Sequence, residues 1–267
     1  MSHHETSLKA QFYLTAPQPC AYLEGREERK IFTTLRGNSA VRVNDALSLK
    51  GFRRSQSVIY RPACVGCSAC LSIRVPVAKF EASKTQKRLI RRNSDLARQP
   101  CEAWATDAQY ELFRRYLESR HADGGMSDMD AFDFASMIDE TPVNSSVVEY
   151  VAQGAGPGGA DRMLAACLTD ILDDGLSMVY SFFEPSEVKR SLGAYMILDH
   201  IRMAAEMNLD YVYLGYWVSG SRKMDYKTSY RPFELYDGTR WTPFETTEQY
   251  HAWSRSRRER LARSLTD

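Results

Sequence analysis

The chain contains no run of eighteen apolar residues, so a membrane-spanning helix is not expected. Its opening stretch, MSHHETSLKA, has neither an apolar h-region nor an arginine-rich transit pattern. No export is therefore expected, and the protein is read as cytoplasmic with no membrane partner. Six cysteines in 267 residues are too few for a disulfide scaffold. Without a leader they are better read as reduced thiols, metal ligands or redox groups. Internal repeats and low-complexity tracts are missing. His3, His4, His121, His200 and His251 form no recognisable metal pair. What remains is an ordinary globular composition, 43% hydrophobic and 26% charged, long enough for one large core or two modest ones.

The net charge of +1 hides a segregation. Between residues 79 and 98, Lys79, Lys84, Lys87, Arg88, Arg91, Arg92 and Arg98 face only Glu81 and Asp95. Residues 118–140 are acidic, with Arg120 as their single cation, and residues 251–263 are rich in arginine. Basic patches separated by an acidic one suit a protein that grips a polyanion in one place. Solvated surface faces are the plainer alternative.

Periodicity predicts a mixed α/β (α+β) order. Residues 40–59 alternate in short runs around Asn-Asp and Lys-Gly breaks, which predicts strands or a hairpin, and Val75–Phe80 reads as a further strand. Thr85–Ala97 reads as a helix capped by Ser83, with Lys84, Lys87, Arg88, Arg91 and Arg92 on one face. Asp107–His121 is a second helix, buried through Leu112, Phe113, Tyr116 and Leu117. A loop at 123–125 and a short helix around Phe132–Ile138 follow. Strands are expected at Ser146–Val151, Met163–Ile171 and Leu176–Phe183, the last two joined by a hairpin at Asp173–Gly175. A helix with Ala194, Ile197, Leu198, Ile201, Ala204 and Ala205 on its apolar face precedes a strand at Tyr211–Tyr216. In this order a ligand commonly sits at the helix N-terminus.

Several constellations carry chemistry. Cys64, Cys67 and Cys70 stand at three-residue intervals, and with Cys20 they are a candidate set for zinc or an iron–sulfur cluster; buried thiols without metal are the alternative. Arg190, Ser191 and Gly193 open a helix after a core strand, a degenerate form of the pyrophosphate cradle of N-acetyltransferase-like folds. Asp170 ends an apolar strand, where it could orient an amine, accept its proton or serve as a turn residue. Lys223, Lys227 and Arg231 alternate with Tyr226 and Tyr230, a pattern suited to RNA or to an acidic peptide.

The run YRPACVGCSAC, the positions Phe80, Ser83, Gln86 and Arg88 with Asn93, the tract YSFFEPSEVKRSLGAYMILDHIRMAA and the tract YVYLGYWVSGSRKMDYKTSYRPFELY resemble the arginyl-tRNA–protein transferase family. The similarity spans Cys20 to about Tyr236, and the length and cysteine spacing look like its bacterial branch. The resemblance implies an acetyltransferase-like (GNAT-type) domain over 101–267, preceded by a smaller, basic, cysteine-containing region over 1–100. It implies transfer of leucine from Leu-tRNA to proteins with N-terminal Asp or Glu, marking them for degradation by the N-end rule. Arginyl transfer, an acyl-CoA-dependent N-acyltransferase and a non-catalytic RNA-binding or redox protein are the alternatives. Eukaryotic relatives use two cysteine pairs for metal or cluster binding; here the first pair is reduced to Cys20, with Leu23 near it, and Ser221–Arg222 stand where those relatives carry Cys-Pro.

An ester is already activated, so attack by the acceptor's α-amine needs no ATP, cofactor or covalent intermediate, only positioning and oxyanion stabilisation. The expected roles are Asp170 at the amine and Tyr180 or Tyr216 at the oxyanion or ribose hydroxyl. Arg61, Arg74, Lys223 and Lys227 are candidates for the acceptor's acidic side chain. Gln86, Lys87, Arg88, Arg91 and Arg92, with Ser191 and Gly193, are expected to bind the aminoacyl-tRNA.

Overall fold

A computed structural model describes residues 10–120 and 128–263. The N-terminal part builds a small four-stranded sheet. Its strands are β1 (Tyr13–Leu14), β4 (Lys30–Thr34), β5 (Arg53–Ser55) and β6 (Val58–Pro62), in the order β1-β4-β6-β5. A two-stranded ribbon, β2 (Gln18–Pro19) and β3 (Glu27–Glu28), projects from it. Helix α1 (Ala40–Ser48) lies where strands are expected. Its buried Ala40, Asn44 and Ser48 recur every four residues, a helical stripe that the short apolar runs conceal. Only the second half of the 40–59 stretch forms the hairpin, with Gln56 at a φ of 51° in the turn. Leu35, Ala40, Phe52, Ile59 and Val143 make a small core of their own.

The remaining chain builds an eight-stranded sheet. It comprises β7 (Cys70–Pro76), β8 (Leu96–Glu102), β9 (Ser145–Ala152), β10 (Arg162–Ile171), β11 (Gly175–Phe183), β12 (Tyr211–Val218), β13 (Phe233–Tyr236) and β14 (Trp241–Phe244), in the order β14-β13-β7-β12-β11-β10-β9-β8. Residue 100 is therefore no sheet boundary. Strand β7 comes from the first hundred residues and sits between β12 and β13, and β8 runs across residue 100. The strand near Val75 starts five residues earlier than expected and ends at Pro76, where a 3-10 turn follows.

Helices cover both faces. Helices α2 (Lys84–Arg92) and α5 (Leu192–Glu206) share the larger core with Tyr150, Leu164, Trp217, Phe233 and Phe244. On the other face α3 (Asp107–Arg120) and α4 (Ala131–Asp139) pack Leu112, Phe113, Phe134 and Ile138 against Val147, Leu168 and Phe182. The expected loop at 123–125 and His121 lie outside the described residues. A final helix, α6 (Thr247–Arg263), follows β14. Among the described residues no helix is long and apolar enough to cross a membrane.

Two sequence expectations are met closely. Ser83 caps α2 in a reciprocal box with Gln86, and β10 and β11 form the expected hairpin. Helix α2 is shorter than expected. Asn93, fully buried, bonds back to the Leu89 carbonyl and across to the Arg190 carbonyl, and the chain re-enters the sheet at Leu96.

Candidate active site

Among the described residues the only parallel pair in the large sheet is β11 with β12, and it holds for three rungs, Gly175 to Tyr211, Leu176 to Val212 and Ser177 to Tyr213. Beyond them the ladder stops while both strands continue. A gap in a ladder leaves peptide groups to be satisfied by something else. On β11 the Val179 carbonyl accepts a hydrogen bond from the Arg53 guanidinium, which reaches in from β5 of the small sheet. On β12 the Tyr216 carbonyl accepts one from Lys227 Nζ at 2.6 Å. Gly215 makes room for this: its φ is 75°, and a Cβ there would fall 2.5 Å from Arg53 Nη1.

Lys227 is 5% exposed. Burial, and then the charge of Arg53, bring its amine from 10.5 down to about 7. Among the described residues neither cation has an acidic partner. Tyr226, half exposed, sits with its ring 5.9 Å from Lys227 Nζ.

Beside the split lies the start of α5. Ser191 is its N-cap in the left-handed region, φ 47°, and its side chain caps nothing. The first-turn N–H groups of a helix have no intrahelical acceptor, so this end favours anions. A Cβ on Gly193 would come within 3.1 Å of the Phe183 ring, so the residue lets α5 approach β11 closely. Helix α2 is tied to this corner. Arg92 donates to the Lys189 carbonyl, Asn93 to the Arg190 carbonyl, and Gln86 Nε2 to the Ser229 carbonyl at 3.2 Å. Arg190 itself is closed off by a two-point pair with Asp95, both bonds 2.8 Å. Lys84, Lys87, Arg88 and Arg91 are exposed on the outer face of α2, without ion pairs among the described residues.

The structure thus sets Arg92 beside the turn that leads to Ser191 and Gly193, keeps Lys87, Arg88 and Arg91 exposed on the same helix, and places Lys227 at the strand split. Most of the other expected site residues are spent within the fold. Asp170 is 1% exposed and faces no cleft. Its two oxygens accept from Arg54 Nε and Nη2 at 2.6 Å each, and from Ser145 Oγ at 2.6 Å. Tyr216 is 5% exposed; its hydroxyl donates towards the Tyr60 and Gly51 carbonyls, at 2.8 and 3.1 Å, and burial holds it protonated. Arg74 lies between the Glu234 carboxylate at 2.8 Å, Tyr213 Oη at 3.0 Å and the rings of Tyr211 and Trp241. Arg61 stacks on Phe52, and Lys223 is exposed. The amide of Gln86 is consumed by the cap and by Ser229. Tyr180 packs edge-on against Phe113 on the α3 side of the sheet, and burial raises its hydroxyl's pKa.

Cys20, Cys64, Cys67 and Cys70 gather around the ribbon as half-buried free thiols. The Cys70 thiol is pushed up to about 12, first by burial and then by Cys64, Cys67 and Cys20. Cys64 Sγ accepts the Arg29 N–H at 3.4 Å and faces the Arg29 carbonyl at 3.7 Å. Among the described residues no group of His, Cys, Asp and Glu is placed to hold a metal ion. The expectation of a zinc or cluster site does not fit this arrangement.

Sequence reasoning missed Arg53 and Arg54. Alternation along a strand sends adjacent side chains to opposite faces, so FRRSQ already implies two destinations. Their partners, more than ninety residues away, are invisible to local pattern.

Residues 18–88 match the family described as "Arginine-tRNA-protein transferase, N terminus", and residues 108–237 its C terminus. An aspartate/glutamate leucyltransferase of Cereibacter sphaeroides (strain ATCC 17029 / ATH 2.4.9) is 61% identical over 239 residues, covering 89% of this chain and 85% of the relative. One from Ruegeria pomeroyi is 56% identical over 249 residues, covering 93% and 89%. Among solved structures, FemX aligns with a TM-score of 0.47 at 9% identity, over 79% of this chain and 67% of that one. The chain belongs to the arginine-tRNA-protein transferase family, among its aspartate/glutamate leucyltransferases.

Proposed function

We propose that this protein transfers leucine from leucyl-tRNA to the α-amine of proteins that begin with Asp or Glu. The observation that carries the reading beyond kinship is one corner of the molecule. An uncapped helix N-terminus, a face of exposed cations and a parted strand pair adjoin there. The α2 cations take tRNA phosphates, and the start of α5 takes the phosphate nearest the acceptor end. The aminoacylated 3′ end enters the split, as an acyl chain does in an acetyltransferase-like (GNAT-type) sheet. The parallel pair that parts after three rungs supports that reading of the fold.

In the reaction the neutral α-amine attacks the ester carbonyl. The new peptide bond replaces the ester, the amine's proton is lost, and the tRNA leaves with its ribose hydroxyl reprotonated. Holding both ends in a dry site supplies most of the acceleration, because the ester needs no further activation. Asp170 contributes as a positioning residue. It holds Arg54, and through Arg54 keeps β5 and the adjacent Arg53 seated against the large sheet. Tyr180, still protonated and partly exposed, is the phenol retained as a donor to the ribose or oxyanion.

The test supplies purified protein with leucyl-tRNA or arginyl-tRNA and a peptide beginning with Asp, and reads the product by mass spectrometry. Leucine on the peptide is the expected result. Arginine alone would replace the donor, and no product from either tRNA would end the transferase reading.

A further inference from the structure

We propose that Arg53 and Lys227 together form an anion subsite for the side-chain carboxylate of the acceptor's first residue. The inference rests on the transferase reading for the identity of the acceptor, but the subsite itself stands on geometry.

Two cations approach each other in the strand split closely enough for the Arg53 charge to depress the Lys227 amine. Each is tethered to one of the diverging strands by a single backbone carbonyl, Val179 on β11 and Tyr216 on β12. That leaves most of the N–H donors of both groups unspent. Charges withdrawn from water inside proteins are almost always paired, since an uncompensated one is expensive. The same strand shows the ordinary solution: Arg54 is buried against the carboxylate of Asp170. Arg53 and Lys227 lack such a partner among the described residues, so an incoming anion completes them.

The burial of Lys227 selects the anion. Lys227 is 5% exposed, so the ligand must reach inward and shed its water. A carboxylate at the end of a side chain can do this, whereas a phosphodiester carries a nucleoside on each side. The phosphates have their own cations on α2, outside the split. A planar guanidinium and a point-charge ammonium also grip a carboxylate from two directions. The uncharged amides Asn and Gln would leave both cations unpaired, and the subsite would reject them for that reason.

The experiment compares peptides that differ only in their first residue, Asp against Asn and Glu against Gln. It uses the full-length protein and two variants, Arg53→Met and Lys227→Met. The expected result is a fall in the Asp-over-Asn preference, measured as a ratio of kcat/KM, by at least ~30-fold in each variant, driven by a higher KM for the acidic peptides. A lesion that only loosens the fold, or a role at the oxyanion, would lower transfer to every peptide alike and keep the ratio. An unchanged ratio in both variants therefore overturns the proposal. Direct binding of fluorescent Asp- and Asn-peptides separates this inference from its parent. If the wild type fails to transfer leucine yet binds the Asp-peptide preferentially through Arg53, the transferase reading fails and the subsite stands. If it binds both peptides equally, the subsite fails whatever the transfer assay shows.

Discussion

Arg53 and Arg54 are neighbours on β5, yet they occupy opposite electrostatic situations. Arg54 is 3% exposed and closed by Asp170, with Ser145 Oγ and the Gln56 carbonyl completing its shell. Arg53 reaches into the split beside another cation and meets one carbonyl. A paired charge in the interior serves architecture, because both partners lose water and regain it as mutual bonds. An unpaired one is kept at a cost in stability, and such costs concentrate where a ligand binds. The two sites lie on the two faces of one short strand, so the architecture of one holds the other in place. A third setting, the exposed cations of α2, costs little because water and salt already screen them.

The largest effect is expected at the closed pair. Asp170→Asn strands the Arg54 guanidinium and should cost about 3–5 kcal/mol of folding stability, read from urea unfolding. Because β5 is anchored there, transfer should fall with it, while a variant as stable as the wild type would show that the pair does not hold the sheets together. A smaller effect of opposite sign is expected at the open pair. The folded Lys227 amine lies near 7 and the unfolded one near 10.5. Its penalty is thus full below pH 7 and fades as pH rises towards 10.5. Lys227→Met should therefore raise stability by about 2 kcal/mol at pH 6–7, and the gain should shrink in alkaline buffer. A gain independent of pH would mean that packing, rather than charge, is responsible. The least costly change to the fold is Arg88→Glu with Arg91→Glu. Thermal unfolding should hardly move, but tRNA affinity should drop, with a log–log salt slope shallower by ~2. Unaltered affinity would remove α2 from the RNA face.

How much of this was legible in the sequence depended on distance along the chain. The cap at Ser83, the cationic face of α2, the β10–β11 hairpin and the burial of Ile197, Leu198, Ile201 and Ala204 on α5 all follow from residues within one or two turns of each other, whereas Ala205, expected on the same face, is exposed. Helix α1 was misread because its stripe is made of Ala40, Asn44 and Ser48, small residues with little hydropathic contrast. Asp170 looked like a catalytic carboxylate because its partner Arg54 stands 116 residues earlier. The strand split was equally hidden, since parting of a parallel pair is a property of two strands separated by a helix. The cysteine spacing suggested a shared ion, but among the described residues no group of His, Cys, Asp and Glu is placed to hold one, because spacing along the chain does not set how the thiols are aimed.

The position of β7 bears on how the chain can fold at all. A strand from residues 70–76 lies between β12 and β13, which are synthesised well over a hundred residues later. Its neighbours cannot form until most of the polypeptide exists, so assembly is dominated by non-local pairing and should be slow for a protein of this size. A fragment starting near residue 101 would lack β7 and most of β8, and the missing β7 would leave two raw sheet edges at β12 and β13. The region matching the N-terminal family description is thus no detachable appendage, and any attempt to divide the activity into two genes would have to carry β7 with the second.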